Sequence, residues 1–326
     1  MRIIEILKAT RNALLIGMGG GGDAVSTLYV MEFFSHFGIR CILGGVIWER
    51  LRRDPKPGPR SIEEVTGAER INECLAWLDG SERIGQVTPI TSRIAEITGK
   101  ALGVDITKGV GKLRESLREF ARQEKIDMIV GVDAGGDVLA KGNEGNLISP
   151  LADAIMLAAI GDLGSTDSPD SPDSLNSLVA VVGLGSDGEL SRPEIESRLS
   201  ELNSAVVGVS VIDYHVAQKL KDFVYSVETE ASRIPLAAAL GYYGKYSFWG
   251  EYELHVGFLN SLIFYIDAKC LYESSPLAMA VSNAESIQEA SKKLNDLGVK
   301  TEYDLEIELA EMAKKSDRPD QPDQVK

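Results

Sequence analysis

The stretch from Asn12 to Phe37 reads NALLIGMGGGGDAVSTLYVMEFFSHF. Ala13 to Ile16 is a short apolar run with the length of a buried strand. Four consecutive glycines, Gly19 to Gly22, lead from it into Asp23. Val25 to Phe37 is then rich in apolar residues and reads as a helix. A strand, a glycine turn and a helix start make a ready anion site. Backbone N–H groups point outward at the helix start, and missing Cβ atoms let a phosphate or carboxylate come close.

The same alternation continues along the chain. Met1 to Thr10 reads as a lead-in helix. Ile39 to Trp48 is a second apolar strand, and Pro55, Pro57 and Pro59 mark an extended loop after it. Glu69 to Leu78 has helical spacing, as do Ser92 to Leu102 and Gly109 to Lys125. Asp127 to Val132, Leu178 to Val182 and Ala205 to Ile212 read as strands, with helices expected over Leu151 to Ile160, Pro193 to Leu202 and Val216 to Tyr225. Ser149 followed by Pro150 has the form of an N-cap and first turn. Leu259 to Asp267 is ambiguous between strand and helix, while Ser286 to Leu297 and Glu302 to Lys315 read as helices.

Together these elements predict one Rossmann-like α/β domain over residues 1–315, a mostly parallel sheet with helices on both faces. The Ser/Pro/Asp-rich stretch 164–176 is expected to be a mobile loop, and the polar tail 316–326 to be disordered.

A chain of 326 residues with 44% apolar content can bury a sizeable core. Its charge of −15, from 49 acidic and 34 basic residues, argues against nucleic acid or an anionic membrane as the main partner. The local cluster Arg50, Arg52 and Arg53 is either a solvated loop or a contact for an anionic small molecule. Three widely spaced cysteines fit no zinc pattern; Cys41 and Cys270 lie in apolar runs and are expected to be buried thiols. No stretch reaches the roughly 20 uncharged apolar residues of a membrane span. A soluble protein of a reducing, cytoplasmic compartment is expected.

Three glycine-acid loops follow three expected strands: GMGGGGD with Asp23, DAGGD with Asp133 and Asp137, and GLGSDGE with Asp187 and Glu189. In a parallel sheet, loops of this kind stand where ligands bind. Glycine N–H groups favour an anion, whereas carboxylates repel one unless a cation lies between. Mg²⁺ with a phosphorylated ligand reconciles the two, with the metal held by some of Asp23, Asp133, Asp137 and Asp187. Gly19 to Gly22, Gly135–Gly136, and Gly185 with Ser186 would then cradle the anion. An amino acid, which carries both signs, is the other solution. Asp23 also has a plainer reading, as a carboxylate favoured by the helix dipole.

Gly17, Gly19 and Gly22 also spell a dinucleotide fingerprint, with Glu49 near the end of the second strand where a ribose-binding acid belongs. That reading meets Asp23, which would repel a pyrophosphate without a metal. No GxxxxGK[ST] and no GxSxG occurs. Among the histidines, His36 is expected to pack within the first helix. His215, after Asp213 at a strand end, is the candidate general acid or base, with His255 as another. Tyr242 to Tyr252, an aromatic stretch, reads as a lid, as core packing or as a contact in a homo-oligomer.

MGGGGD (Met18 to Asp23), GVDAGGD (Gly131 to Asp137), SPLADA (Ser149 to Ala154) and GLGSDGE (Gly183 to Glu189) resemble an uncharacterised, mainly archaeal family catalogued as a domain of unknown function. The resemblance implies one large domain and brings no established activity. The residues therefore carry the functional expectation: an enzyme acting on a phosphorylated or nucleotide-like small molecule with Mg²⁺, with Asp133, Asp137 and His215 as catalytic candidates. A non-catalytic nucleotide sensor and an NAD(P) oxidoreductase are the rivals.

Overall fold

A computed structural model describes residues 2–163, 175–248 and 252–316. Most of the loop 164–176, nearly all of the tail, and 249–251 of the aromatic stretch lie outside them.

Eleven strands form among the described residues: β1 (Asn12–Gly17), β2 (Arg40–Val46), β3 (Glu69–Arg70), β4 (Leu75–Leu78), β5 (Ala101–Val104), β6 (Met128–Ala134), β7 (Asn176–Val182), β8 (Val206–Val211), β9 (Gly244–Phe248), β10 (Tyr252–Val256) and β11 (Leu262–Asp267). Nine make one sheet in the order β3-β4-β5-β2-β1-β6-β7-β11-β8, and β9 and β10 form a separate hairpin. The central five, β5-β2-β1-β6-β7, are mutually parallel, and antiparallel pairs extend both ends. This is the α/β, mostly parallel, Rossmann-like arrangement.

Among the helices that cover the sheet or border its ligand edge are α1 (Gly21–Ser35), α2 (Val110–Glu124), α3 (Pro150–Ile160), α4 (Tyr214–Ser226) and α5 (Glu302–Ser316). Strand side chains alternate between faces. Leu14 and Ile16 of β1 join one core with Leu113 and Leu117 of α2 and Ile155 of α3. Ala13 and Leu15 join the other with Val25 and Leu28 of α1 and Leu220 of α4. Both faces are covered, which is why the inner strands read as continuous apolar runs rather than alternating ones.

Chain direction across the sheet reverses beside β1: β2 and β5 lie on one side, β6 and β7 on the other. Gly17 is level with Val132, and Ala134 with Val182. The three glycine-acid loops therefore leave the sheet along one edge, at the crevice where α/β sheets bind ligands.

Some expected elements differ. Glu69 to Leu78 is not a helix but the edge strands β3 and β4. Asn72 folds the chain there by accepting the N–H groups of Cys74 and Leu75, and β4 pairs with β5. Ser92 to Leu102 divides into short helices (Ile90–Arg93, Ala95–Thr98) and β5. Leu259 to Asp267 resolves as a 3-10 turn and β11. His36 is exposed at the end of α1, and Cys270 is exposed, whereas Cys74 is the buried thiol.

Candidate functional site

Helix α1 begins inside the glycine run. A Cβ on Gly17 would overlap Ala24 N, so only glycine lets the helix start this close to β1. Among the described residues no acceptor meets the N–H of Gly20, Gly21 or Gly22. These are the open donors of a helix N-terminus. They line a cavity of about 460 Å³, a size suited to a small ligand.

Asp23 lies beneath the run. Its carboxylate accepts the N–H of Gly19, and that of Ala134 at 3.0 Å, tying the β1 loop to the end of β6. Burial pushes its carboxyl up to about 8, with the charge of Asp133 adding to the shift and backbone donors and Arg50 opposing it. Asp133 accepts the N–H groups of Gly136 and Val138, each at 3.2 Å, and burial raises its carboxyl to about 6. Asp137 accepts the Ser149 hydroxyl at 3.2 Å.

Asp153 completes the cluster. Every residue of α3 is buried, and Asp153, 2% exposed, sits in its first turn. Its Oδ1 is buried with no hydrogen-bond partner. Asp133, Asp137 and Asp153 each bring an oxygen within 4.8 Å of the others. Burial and neighbouring carboxylates push Asp137 and Asp153 well up. Such crowding needs protons or a cation, and all-oxygen ligation suits a hard divalent ion.

Three arginines, Arg50, Arg52 and Arg53, also line the cavity, together with Glu49, Glu228 and Glu230. After β2, Arg50 adopts the left-handed conformation (φ 57). Its guanidinium lies 4.2 Å from the centre of the Trp48 ring, and Nη2 donates to the Gly19 carbonyl at 3.0 Å. Nη1 is buried without a hydrogen-bond acceptor and faces Glu302 of α5 at 3.6 Å.

The loop after β7 supplies Asp187 and Glu189 to the lining. Asp187 packs onto Gly135, where a Cβ would collide with its carboxylate. Glu189 accepts the N–H groups of Ile148 and Ser149 at 2.8 and 2.9 Å, and the Ser149 hydroxyl. The Ser149 side chain therefore does not cap α3, contrary to its sequence reading. Glu302 does, accepting from Leu151 N and Ala152 N, each at 3.0 Å.

The sequence candidates separate accordingly. Gly19 to Gly22, Asp23, Asp133, Asp137 and Asp187 meet at one place, with Gly17 supporting the turn. Gly135 and Gly136 are beside them, but their N–H groups are given to Val182 O and Asp133. They shape the loop at φ 126 and 119 rather than offering donors to an anion. Gly185 gives its N–H to Gly135 O at 2.6 Å and lines a different groove, and the Ser186 hydroxyl is wholly buried. Glu49 lines the cavity, but its carboxylate is engaged by Ile90 N at 2.8 Å and by Arg53, where a ribose would need it. His215 is exposed in the first turn of α4, beyond the edge strand β8, and does not line the cavity. His255 lies on the β10 hairpin against Tyr243. Sequence reading missed Asp153 and Glu302. The signal for Asp153 was a lone charge within the otherwise apolar LADAIMLAAI.

The family model described as protein of unknown function (DUF1152) matches residues 14–310. The chain belongs to the DUF1152 family. The match spans all three glycine-acid loops, α3 and Glu302 of this DUF1152 member. Comparison with curated proteins finds no match, and comparison with solved structures finds none. No described helix is long and apolar enough to cross a membrane.

Proposed function

We propose that this DUF1152 protein is an enzyme acting on a phosphorylated, nucleotide-like small molecule with a divalent cation, Mg²⁺ foremost, at Asp133, Asp137 and Asp153. The observation that carries the reading is the unpartnered Oδ1 of Asp153, buried within a triad of carboxylates. A buried, unsatisfied carboxylate oxygen is costly, and a cation offsets that cost. A bound cation would supply charge neutralisation at a phosphoryl oxygen.

The remaining residues have matching roles. The open N–H groups of Gly20 to Gly22 receive the ligand's anionic oxygens. Arg52 attracts it at the exposed rim, while Arg53 is paired with Glu49 and Glu228. Phosphoryl transfer or hydrolysis is the reaction class these parts support. The acceptor oxygen attacks phosphorus, the bond to the leaving oxygen breaks, and the acceptor's proton passes to a carboxylate. We assign that proton to Asp187, which lines the cavity outside the triad and whose carboxyl is raised by burial and by Glu189. The three free cysteines support a reducing, cytoplasmic setting.

The test joins a Mn²⁺ titration to a turnover assay. Wild-type protein should bind Mn²⁺, and Asp153→Asn should not. Wild type with Mg²⁺ should release inorganic phosphate from one of a panel of nucleotides and sugar phosphates. Nucleotide binding with full chemical recovery of the ligand would instead indicate a sensor. Absence of Mn²⁺ binding would remove the cation from the reading.

A further inference from the structure

We infer that the group seated beside the acidic triad is a terminal phosphoryl group, and that Arg50 is the residue that selects it. The inference deepens the proposed enzymatic function and rests on it for the cation.

Arg50 is held in a conformation that L residues avoid. Its guanidinium is fixed by the Trp48 ring and by the carbonyl of Gly19. The other terminal nitrogen, Nη1, faces Glu302 at 3.6 Å without a hydrogen bond to it, and the Arg50 side chain as a whole lines the cavity. Backbone strain of this kind persists where the surroundings impose it, and it clusters at ligand clamps.

Gly19 is also the residue that borders the acidic triad. A Cβ built on it would lie 2.8 Å from Asp153 Oδ2, while its carbonyl holds Arg50. One glycine thus separates the proposed cation seat from the arginine. The open N–H groups of Gly20 to Gly22 come next in the chain. A group with three acceptor oxygens and more than one charge can give each of the three features an oxygen of its own. A terminal phosphoryl group has both. A carboxylate has two oxygens and one charge. Each phosphate of a dinucleotide has two free oxygens and one charge. The features therefore favour a phosphomonoester or the end of a polyphosphate over an amino acid or NAD(P).

Pyrophosphate, acetate and NAD⁺ are the probes, each titrated calorimetrically into the full chain with and without Mn²⁺. Wild type should bind pyrophosphate, more tightly with Mn²⁺, and should not bind acetate or NAD⁺ in the same range. Arg50→Gly should weaken pyrophosphate roughly 10- to 100-fold, the worth of a charge-assisted hydrogen bond. It should leave Mn²⁺ binding alone unchanged; glycine accepts the left-handed conformation, so any fall in Tm comes from the lost contacts to Trp48, Gly19 and Glu302, and the titrations are run well below it. Arg50→Lys, which keeps the charge but loses the fork, should also bind weakly. Pyrophosphate binding that survives Arg50→Gly, equal binding of acetate, or no binding by wild type would overturn the inference. Failure of Mn²⁺ to bind wild type, with Arg50-dependent pyrophosphate binding intact, would remove the cation and leave the phosphoryl seat standing.

Discussion

Asp153 closes on Gly19 so tightly that a Cβ there would stand 2.8 Å from its Oδ2, and 2.6 Å from Asp23 Oδ2. Gly19→Ala therefore pushes two carboxylates rather than backbone. The expected result is loss of Mn²⁺ affinity by roughly tenfold or more with little change in the denaturation midpoint. Gly17→Ala is the contrast, because its Cβ meets the backbone of Ala24. Helix α1 would have to move, at a cost of about 3 kcal/mol. Equal stability losses in the two variants would contradict this division.

Asp153→Asn removes one ionisable carboxyl from a buried acidic cluster. In chelator-treated protein it should raise Tm, with a gain on the order of 1–3 kcal/mol. It should also abolish the stabilisation that Mg²⁺ gives wild type. Melting curves of both proteins, with and without Mg²⁺, decide the matter. A variant that still responds to Mg²⁺ like wild type would exclude Asp153 as a ligand.

Much of this site was legible because a parallel sheet presents its loops along one edge. Asp23, Asp133, Asp137 and Asp187 follow strand ends in sequence and do converge. Sheet order was not legible, and it misled the reading of His215. That residue also follows a strand end, but β8 lies at the sheet's margin, far from the reversal beside β1. Asp153 was hidden because the apolar residues around it mark α3 as core. Glu302 was hidden because nothing local links α5 to the start of α3; tertiary packing alone brings them together. Glu69 to Leu78 has helical spacing, yet pairing with β5 overrides it.

Glu49 gives a pH dependence with a definite sign. Burial raises its carboxyl from 4.5 to about 7, against the opposing charge of Arg53. Between those values the folded protein holds a proton that the unfolded chain has released. Its contribution to stability is full below 4.5 and is lost as pH rises through about 7. The slope from this one group is at most about 1.4 kcal/mol per pH unit. Glu49→Gln should flatten the decline by that amount in denaturant titrations across the window. An unchanged slope would mean that Glu49 is ionised throughout it.

Glu302 joins two parts of the cavity lining, accepting two N–H groups of α3 and facing Arg50. Glu302→Gln sets an amide donor against those N–H groups and removes the counter-charge. A loss of about 1–3 kcal/mol is expected, together with weaker Mn²⁺ binding because the first turn of α3 carries Asp153. Denaturation and Mn²⁺ titration should move together. A destabilised variant with unaltered Mn²⁺ affinity would limit Glu302 to a capping role.

The position of Glu302 also sets an order of assembly during synthesis. A ribosome makes the glycine run, the acids of β6 and the whole of α3 well before it reaches residue 302. Until α5 emerges, two N–H groups at the start of α3 lack their acceptor and Arg50 lacks its opposing charge. The nascent chain thus carries its acidic triad before it carries the residue that braces it. A transcript cut short between the end of the third loop, Glu189, and α5 encodes all the ligand loops without Glu302.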